Sequence, residues 1–189
     1  MKRTSLALFA VVALFALPLS AKDMGGKFGV GVDQTLGGVT GLELKYFIGD
    51  FAVSLEPQFA VWAPKHGDNQ FGLNIALGGV YYFARSDQAN LGFGAKVDMG
   101  YLNKAANGGG DSTFQANIEL PLVMEYYFSD HFAFHVSTGL LFAIVPEKGA
   151  ALSVPEQNGG LVSKGSAQGF GFSFGGGSLI SSAGFTFYF

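Results

Sequence analysis

The chain has 189 residues, with 14 acidic and 11 basic side chains for a net charge of −3, and it is 49% hydrophobic. That apolar share forms a core and excludes intrinsic disorder, and the lack of a positive balance or a Lys/Arg run excludes a basic nucleic-acid binder. Zero Cys excludes disulfide scaffolds and thiolate metal sites, while 29 Gly, 20 Phe and only 13% charged residues depart from an ordinary soluble domain.

At the N-terminus, Lys2 and Arg3 precede an apolar run from Leu6 to Leu19, closed by the small residues Ser20 and Ala21. This pattern predicts a secretory signal peptide over 1–21, and the run is too short for a membrane-spanning helix of about 20 residues. The mature chain, 22–189, is then exported and more acidic, since Lys2 and Arg3 leave with the leader.

From there to the C-terminus the hydrophobic period is two, the signature of strands with one apolar face. The face collects Phe28, Val30 and Val32; Leu42 to Ile48 at alternate positions; Phe51 to Val61; Phe71 to Phe83; Leu91 to Tyr101; Phe114 to Phe128; Phe132 to Ile144; and finally Phe185, Phe187 and Phe189. That makes eight strands. The other face carries Gly, Asn, Gln, Ser and charged residues.

A soluble sandwich shows the same alternation, so the connections decide between the two. Turns after the second, fourth and sixth strands are short: Gly49-Asp50, Arg85 to Gln88, and Ser129 to His131. Connections after the third, fifth and seventh are longer and polar, Pro64 to Asn69, Asn103 to Ser112, and Pro146 to Gly169, while the first on that side, Gln34 to Gly38, is short. Alternating short and long connections, an even strand count and strands of about ten residues are those of a transmembrane β-barrel. Aromatic residues gather beside the short turns (Tyr46, Phe47 and Phe51; Tyr81 to Phe83; Tyr126 to Phe128 with Phe132; Phe187 to Phe189), as in a girdle at a water–lipid boundary. The fold expected is all-β, an eight-stranded antiparallel up-and-down barrel.

On these features the chain resembles the small eight-stranded bacterial outer-membrane barrel proteins, of the OmpA, OmpX and OmpW types. The resemblance is one of architecture and covers the leader and the mature chain. It implies residence in the bacterial outer membrane, contact with its lipids, and recognition of Phe185, Phe187 and Phe189 by the barrel-assembly machinery. It also implies a non-enzymatic role in envelope structure or surface display, or as a passive, porin-like conduit for small, hydrophobic solutes.

Pro57 and Pro121 fall inside strands, and a closed barrel offers no free edge, so each predicts a bulge or bend. Phe170, Phe172 and Phe174 alternate in the opposite parity to Phe185, Phe187 and Phe189. The Gly175-Gly176-Gly177 run is therefore expected to switch the face, with the first three either extending a strand or folding over the barrel mouth.

The polar face places Asp33, Glu43, Lys45, Glu56, Lys96, Asp98, Glu119, Glu125 and His135 in the lumen. An eight-stranded barrel is just wide enough to be filled by its own side chains, so these read first as a structural ion-pair and hydrogen-bond network. Turn lengths set the expected registers: Glu43 opposite Glu56 with Lys45 bridging both, Glu125 opposite His135, Lys96 opposite Glu119, and Asp98 opposite Asn117. Six carboxylates against two lysines and one histidine would make any water path favour cations.

An enzyme alternative rests on His135-Val136-Ser137, which matches the His-x-Ser spacing of lipid A deacylases, a family of lipid-modifying barrels. Both side chains share the lumen parity and lie close to a short turn, which weakens it. Three His, with His66 and His131 in expected loops or turns, suggest no metal set, and no cofactor is expected.

Overall fold

The computed structural model describes residues 22–155, 161–162, 168–175 and 181–189; the expected leader, 1–21, lies outside them. The strands are β1 (Phe28–Gln34), β2 (Thr40–Ile48), β3 (Phe51–Trp62), β4 (Gln70–Arg85), β5 (Ala89–Leu102), β6 (Thr113–Tyr127), β7 (Phe132–Val145), β8 (Val154–Pro155), β9 (Leu161–Val162), β10 (Gly169–Phe174) and β11 (Ser182–Tyr188). Strands β1 to β7 pair antiparallel in chain order, and β11 joins β7 to β1 to close the barrel. β8 and β9 pair only with each other.

The eighth staff of the barrel is made of two pieces. β11 runs along the Phe132–Ser137 half of β7, and β10 runs along the Leu140–Val145 half in the same direction. β10 turns its even-numbered residues outward and β11 its odd-numbered ones, while Gly176 and Gly177 of the run expected to switch the face lie outside the described residues. Phe170, Phe172 and Phe174 therefore face outward, as do Phe185, Phe187 and Phe189, and β10 is a strand extension and no cover for the mouth.

Alternation is what makes this barrel. Every staff turns large apolar residues outward, among them Ile48 (60% exposed), Phe59 (75%), Leu77 (55%) and Ile118 (46%). All nine charged residues expected inside are buried. The turns hold the registers: Gly49-Asp50 closes β2 onto β3 with Ile48 opposite Phe51, and Gly49 adopts φ 61°, which a residue without Cβ takes at no cost. Arg85 pairs with Asp50 across the bases of two neighbouring turns.

Neither proline shifts a register, but the β5–β6 ladder is interrupted at Pro121, between Phe93↔Leu122 and Lys96↔Glu119. The β3–β4 register runs unbroken through Pro57↔Ile75, and the β6–β7 register through Pro121↔Gly139. The β2–β3 ladder ends at Leu44↔Leu55, before Pro57, so no donor is needed on that side. The register shift falls instead between Tyr82 and Ala84, where β4 carries an extra residue against β5.

The girdle at the short turns also needs correction. Phe28, Tyr46, Phe51, Tyr81, Phe83, Tyr126, Phe128, Phe132, Phe187 and Phe189 point outward, but Phe47, Tyr82, Tyr127 and Tyr188 point inward and are buried. In a strand, three consecutive aromatics cannot share a face, so the middle one of each group enters the lumen.

Candidate functional site

The lumen is built in levels, starting from the short-turn end. Phe47, Tyr82, Tyr127 and Tyr188 pack with Met24, Val80 and Val123 into an apolar base. Phe47 stacks on Tyr82 with centroids 5.6 Å apart and meets Tyr188 edge-on at 5.7 Å. Met24 reaches this base because the segment before β1 turns under the barrel, where Gly26 N–H donates to Phe47 O at 3.0 Å. Below it, Lys22 pairs with Asp130 at 3.3 Å and sits 4.6 Å over the Tyr127 ring.

Glu125 forms the next level. Its carboxylate accepts hydrogen bonds from Tyr82 Oη at 2.7 Å, from Tyr188 Oη and from Lys45 Nζ at 3.3 Å. Lys45 also meets Glu43 at 3.4 Å, and Glu43 accepts from Thr186 Oγ1. Lys45 therefore bridges two carboxylates, but its second partner is Glu125 and not the expected Glu56. Lumen side chains reach across the barrel axis as readily as to the neighbouring strand, and Glu43 and Glu56 lie beyond the end of the β2–β3 ladder.

A third level centres on Asp33. His135 Nε2 lies 2.9 Å from Asp33 Oδ1, and Lys96 Nζ donates to Asp33 Oδ2 at 3.2 Å and to Glu56 Oε1 at 2.6 Å. Ser54 Oγ donates to the same Glu56 oxygen at 3.0 Å. The expected registers Glu125↔His135, Lys96↔Glu119 and Asp98↔Asn117 all hold, yet His135 bonds Asp33 and Lys96 bonds Asp33 and Glu56. Cross-strand position set the neighbours, and charge complementarity across the lumen chose the partners.

The uppermost level was not read from the sequence. Residues 35–39, between β1 and β2, fold inward with Thr35, Leu36 and Val39 buried. Gly37 N–H donates to Glu119, and a Cβ at Gly37 would stand 1.9 Å from Asp98 Oδ2, so a larger residue would have to push that carboxylate aside. The segment after β7 also enters: Ala151 and Leu152 donate their N–H groups to Gln115 Oε1 at 2.8 and 3.0 Å. Asn117 Nδ2 donates to Ser153 O at 2.9 Å, and Ser153 N–H to Gly37 O at 3.0 Å. Leu152 packs with Val39 and Ala76. Gln115, Asn117 and Glu119, successive lumen positions on β6, are thus the seat of two inturned loops. Leu152 stands out as apolar within Pro146 to Gly169, a connection read as polar, but nothing local separates it, Leu36 or Val39 from an apolar residue that meets lipid.

His135 and Ser137 occupy the lumen face as expected, but each is engaged elsewhere: the imidazole with Asp33, and Ser137 Oγ with Ser182 Oγ. Asp33, Glu43 and His135, far apart in sequence, converge so that one ligand atom from each lies within 4.8 Å of the others, a juxtaposition that strand-by-strand reading did not find. No known protein family matches the chain, and no curated protein matches it either. The functional reading therefore rests on this geometry alone.

Proposed function

We propose that this chain is an integral protein of the bacterial outer membrane, exported through a cleaved leader at 1–21, with a non-enzymatic role in envelope structure and loop display. The observation that carries the reading is the inversion of the barrel: exposed Phe, Leu, Ile and Val encircle it on every staff, and the buried charges lie inside. Water would penalise that outer face along its whole circumference, whereas hydrocarbon accepts it, and closure pairs every staff with two neighbours. A second set of outward aromatics, Phe59, Phe114 and Phe170, stands at the long-loop end, opposite the first girdle. Two girdles bounding an apolar band of about 25 Å are the outer-membrane pattern. Outer-membrane lipids are then the main partner, and outward Phe185, Phe187 and Phe189 are available to the assembly machinery.

Within this reading the sealed base and inturned loops favour a closed barrel over an aqueous pore. A route for small hydrophobic solutes is the second reading. It is favoured by a groove of about 310 Å³ at the end of the β1–β2 hairpin, lined by Val32, Gln34, Thr40, Ala183 and Phe185 among others.

The test is fractionation of expressing cells, gel mobility of boiled against unboiled membrane samples, and planar-bilayer recording on the folded fraction. Recovery with outer membranes, heat-dependent migration and an electrically silent bilayer are expected. Identical migration or recovery in the soluble fraction would sink the membrane reading, and steady wild-type conductance would replace the closed barrel with a pore.

A further inference from the structure

The charges of the lumen are balanced level by level except at the mouth. Lys45 pairs with Glu43 and Glu125, Lys96 with Asp33 and Glu56, and His135 lies on Asp33. Asp98 and Glu119, the two remaining lumen carboxyls, are 0% and 1% exposed and have no ion-pair partner among the described residues. A buried carboxylate left in that state is costly.

The two stand within hydrogen-bonding reach of each other. Yet neither Asp98 Oδ1 nor Oδ2 finds a donor among the described residues. Ionised carboxylates only accept, so two in contact repel, and a bond between them needs a proton on one. Gly37, in the inturned 35–39 segment, is wedged against both. Its N–H donates to Glu119 Oε1, and a Cβ there would press on Asp98 Oδ2 and stand 3.0 Å from Glu119 Oε1. The glycine occupies the place of a bridging cation, which leaves a proton as the bridge. The surrounding elements do not supply the missing charge. β5 brings Lys96, already shared by Asp33 and Glu56, and β3 brings Glu56, a further anion. β4 sets Ala76 opposite Asp98, and β7 sets Leu141 opposite Glu119. Residues 35–39 and 149–153 carry no ionisable side chain.

We propose that Asp98 and Glu119 hold one proton between them and that this proton latches the 35–39 segment into the mouth, making the mouth a pH-operated closure. With the proton in place, Asp98 O–H donates to the Glu119 carboxylate, which goes on accepting from Gly37. Its loss to solvent leaves two adjacent anions astride Gly37, and their hydration requires the segment to leave. The seated state binds one proton more than the released state, so rising pH favours release and falling pH favours seating, by about tenfold per pH unit while the proton is exchanged. The segment can move as one piece. Thr35 N–H donates to Val39 O at 2.8 Å and Val39 N–H to Thr35 Oγ1 at 3.1 Å, so it can swing out while β1 and β2 stay paired. The latch belongs to the barrel's interior and not to where the barrel resides, so it stands or falls separately from the reading above.

The chain has no cysteine, so a single introduced one reports access. Leu36→Cys, at a buried position of the seated segment, is made in the whole chain folded in detergent, and its reaction with a thiol reagent is timed from mildly acid to alkaline pH. Each rate is divided by that of Asp68→Cys at an exposed position between β3 and β4, which cancels the ionisation of the thiol itself. The ratio is expected to rise about tenfold or more with pH and to fall again on reacidification. Adding Asp98→Asn, whose amide donates to Glu119 at every pH, is expected to hold it low and flat. Val123→Cys, in the packed base, is expected to stay unreactive throughout. A flat ratio in folded Leu36→Cys protein, a rise that survives Asp98→Asn, or an equal rise at Val123→Cys overturns the latch. If the variants do not fold, as judged by the mobility of unboiled samples, the unaltered chain still decides. Amide exchange of residues 35–39 is expected to accelerate with pH beyond the base-catalysed chemistry of free amides, and no excess overturns the proposal.

Discussion

The two ends of the lumen are closed by different physics. At the base, aromatic side chains carried by the strands themselves, Phe47, Tyr82, Tyr127 and Tyr188, fill the barrel, with two phenol groups anchored on Glu125. At the mouth, closure comes from loop backbone: N–H groups of Gly37, Ala151 and Leu152 seated on Glu119 and Gln115. The base cannot open without unmaking the sheet, because its plugs are staves. The mouth can open by releasing a few hydrogen bonds while the staves stay paired.

The comparison is sharpest at Tyr188. Tyr188→Ala removes a fully buried ring and a hydrogen bond to Glu125, and it is expected to cost about 4 kcal/mol of stability, the upper part of the large-to-small range. Urea unfolding in lipid vesicles, read by Trp62 as the single tryptophan, measures it. A loss under about 1 kcal/mol would mean that the base is not the packed end. At the mouth, Gln115→Ala leaves two buried N–H donors without their acceptor and is expected to cost about 2 kcal/mol. Its distinguishing readout is electrical: brief conductance steps are expected from Gln115→Ala and none from Tyr188→Phe, which keeps the ring. Equal silence from both would erase the contrast between the ends. The smallest effect belongs to the rim below the base, where Arg85→Ala breaks a partly exposed pair with Asp50 and is expected to change stability by less than about 1 kcal/mol.

How far the sequence could be read follows the same division. Staff number, turn lengths and the identity of the buried charges were legible because a period of two on a closed sheet leaves each side chain one of two destinations. The registers Ile48↔Phe51 and Glu125↔His135 followed from turn length alone. Partner choice was not legible, because Lys45 selects Glu125 across the axis and no linear rule orders side chains over that gap. The prolines misled for a related reason: whether Pro57 needs a bulge depends on where the β2–β3 ladder ends, which is a property of the hairpin's height. The inward aromatics were within reach, since runs such as Tyr81-Tyr82-Phe83 must split between faces. The inturned loops were not, because nothing local distinguishes a Leu36 that caps a lumen from one that meets a membrane.

The barrel closes where β1 meets β11, along Gly29↔Tyr188 through Asp33↔Gly184, a much shorter ladder than Phe51↔Tyr81 through Trp62↔Gln70 between β3 and β4. The six ladders from β1 to β7 join strands adjacent in the chain and can zip locally, but this one joins the first strand to the last. Loop-closure entropy makes such a pairing late, so the ring completes only after the locally zipped staves have formed. Until then β1 and the far edge of β7 are unpaired templates, and a chain stalled at that stage is prone to borrow β11 from a second copy, giving a strand-exchanged dimer.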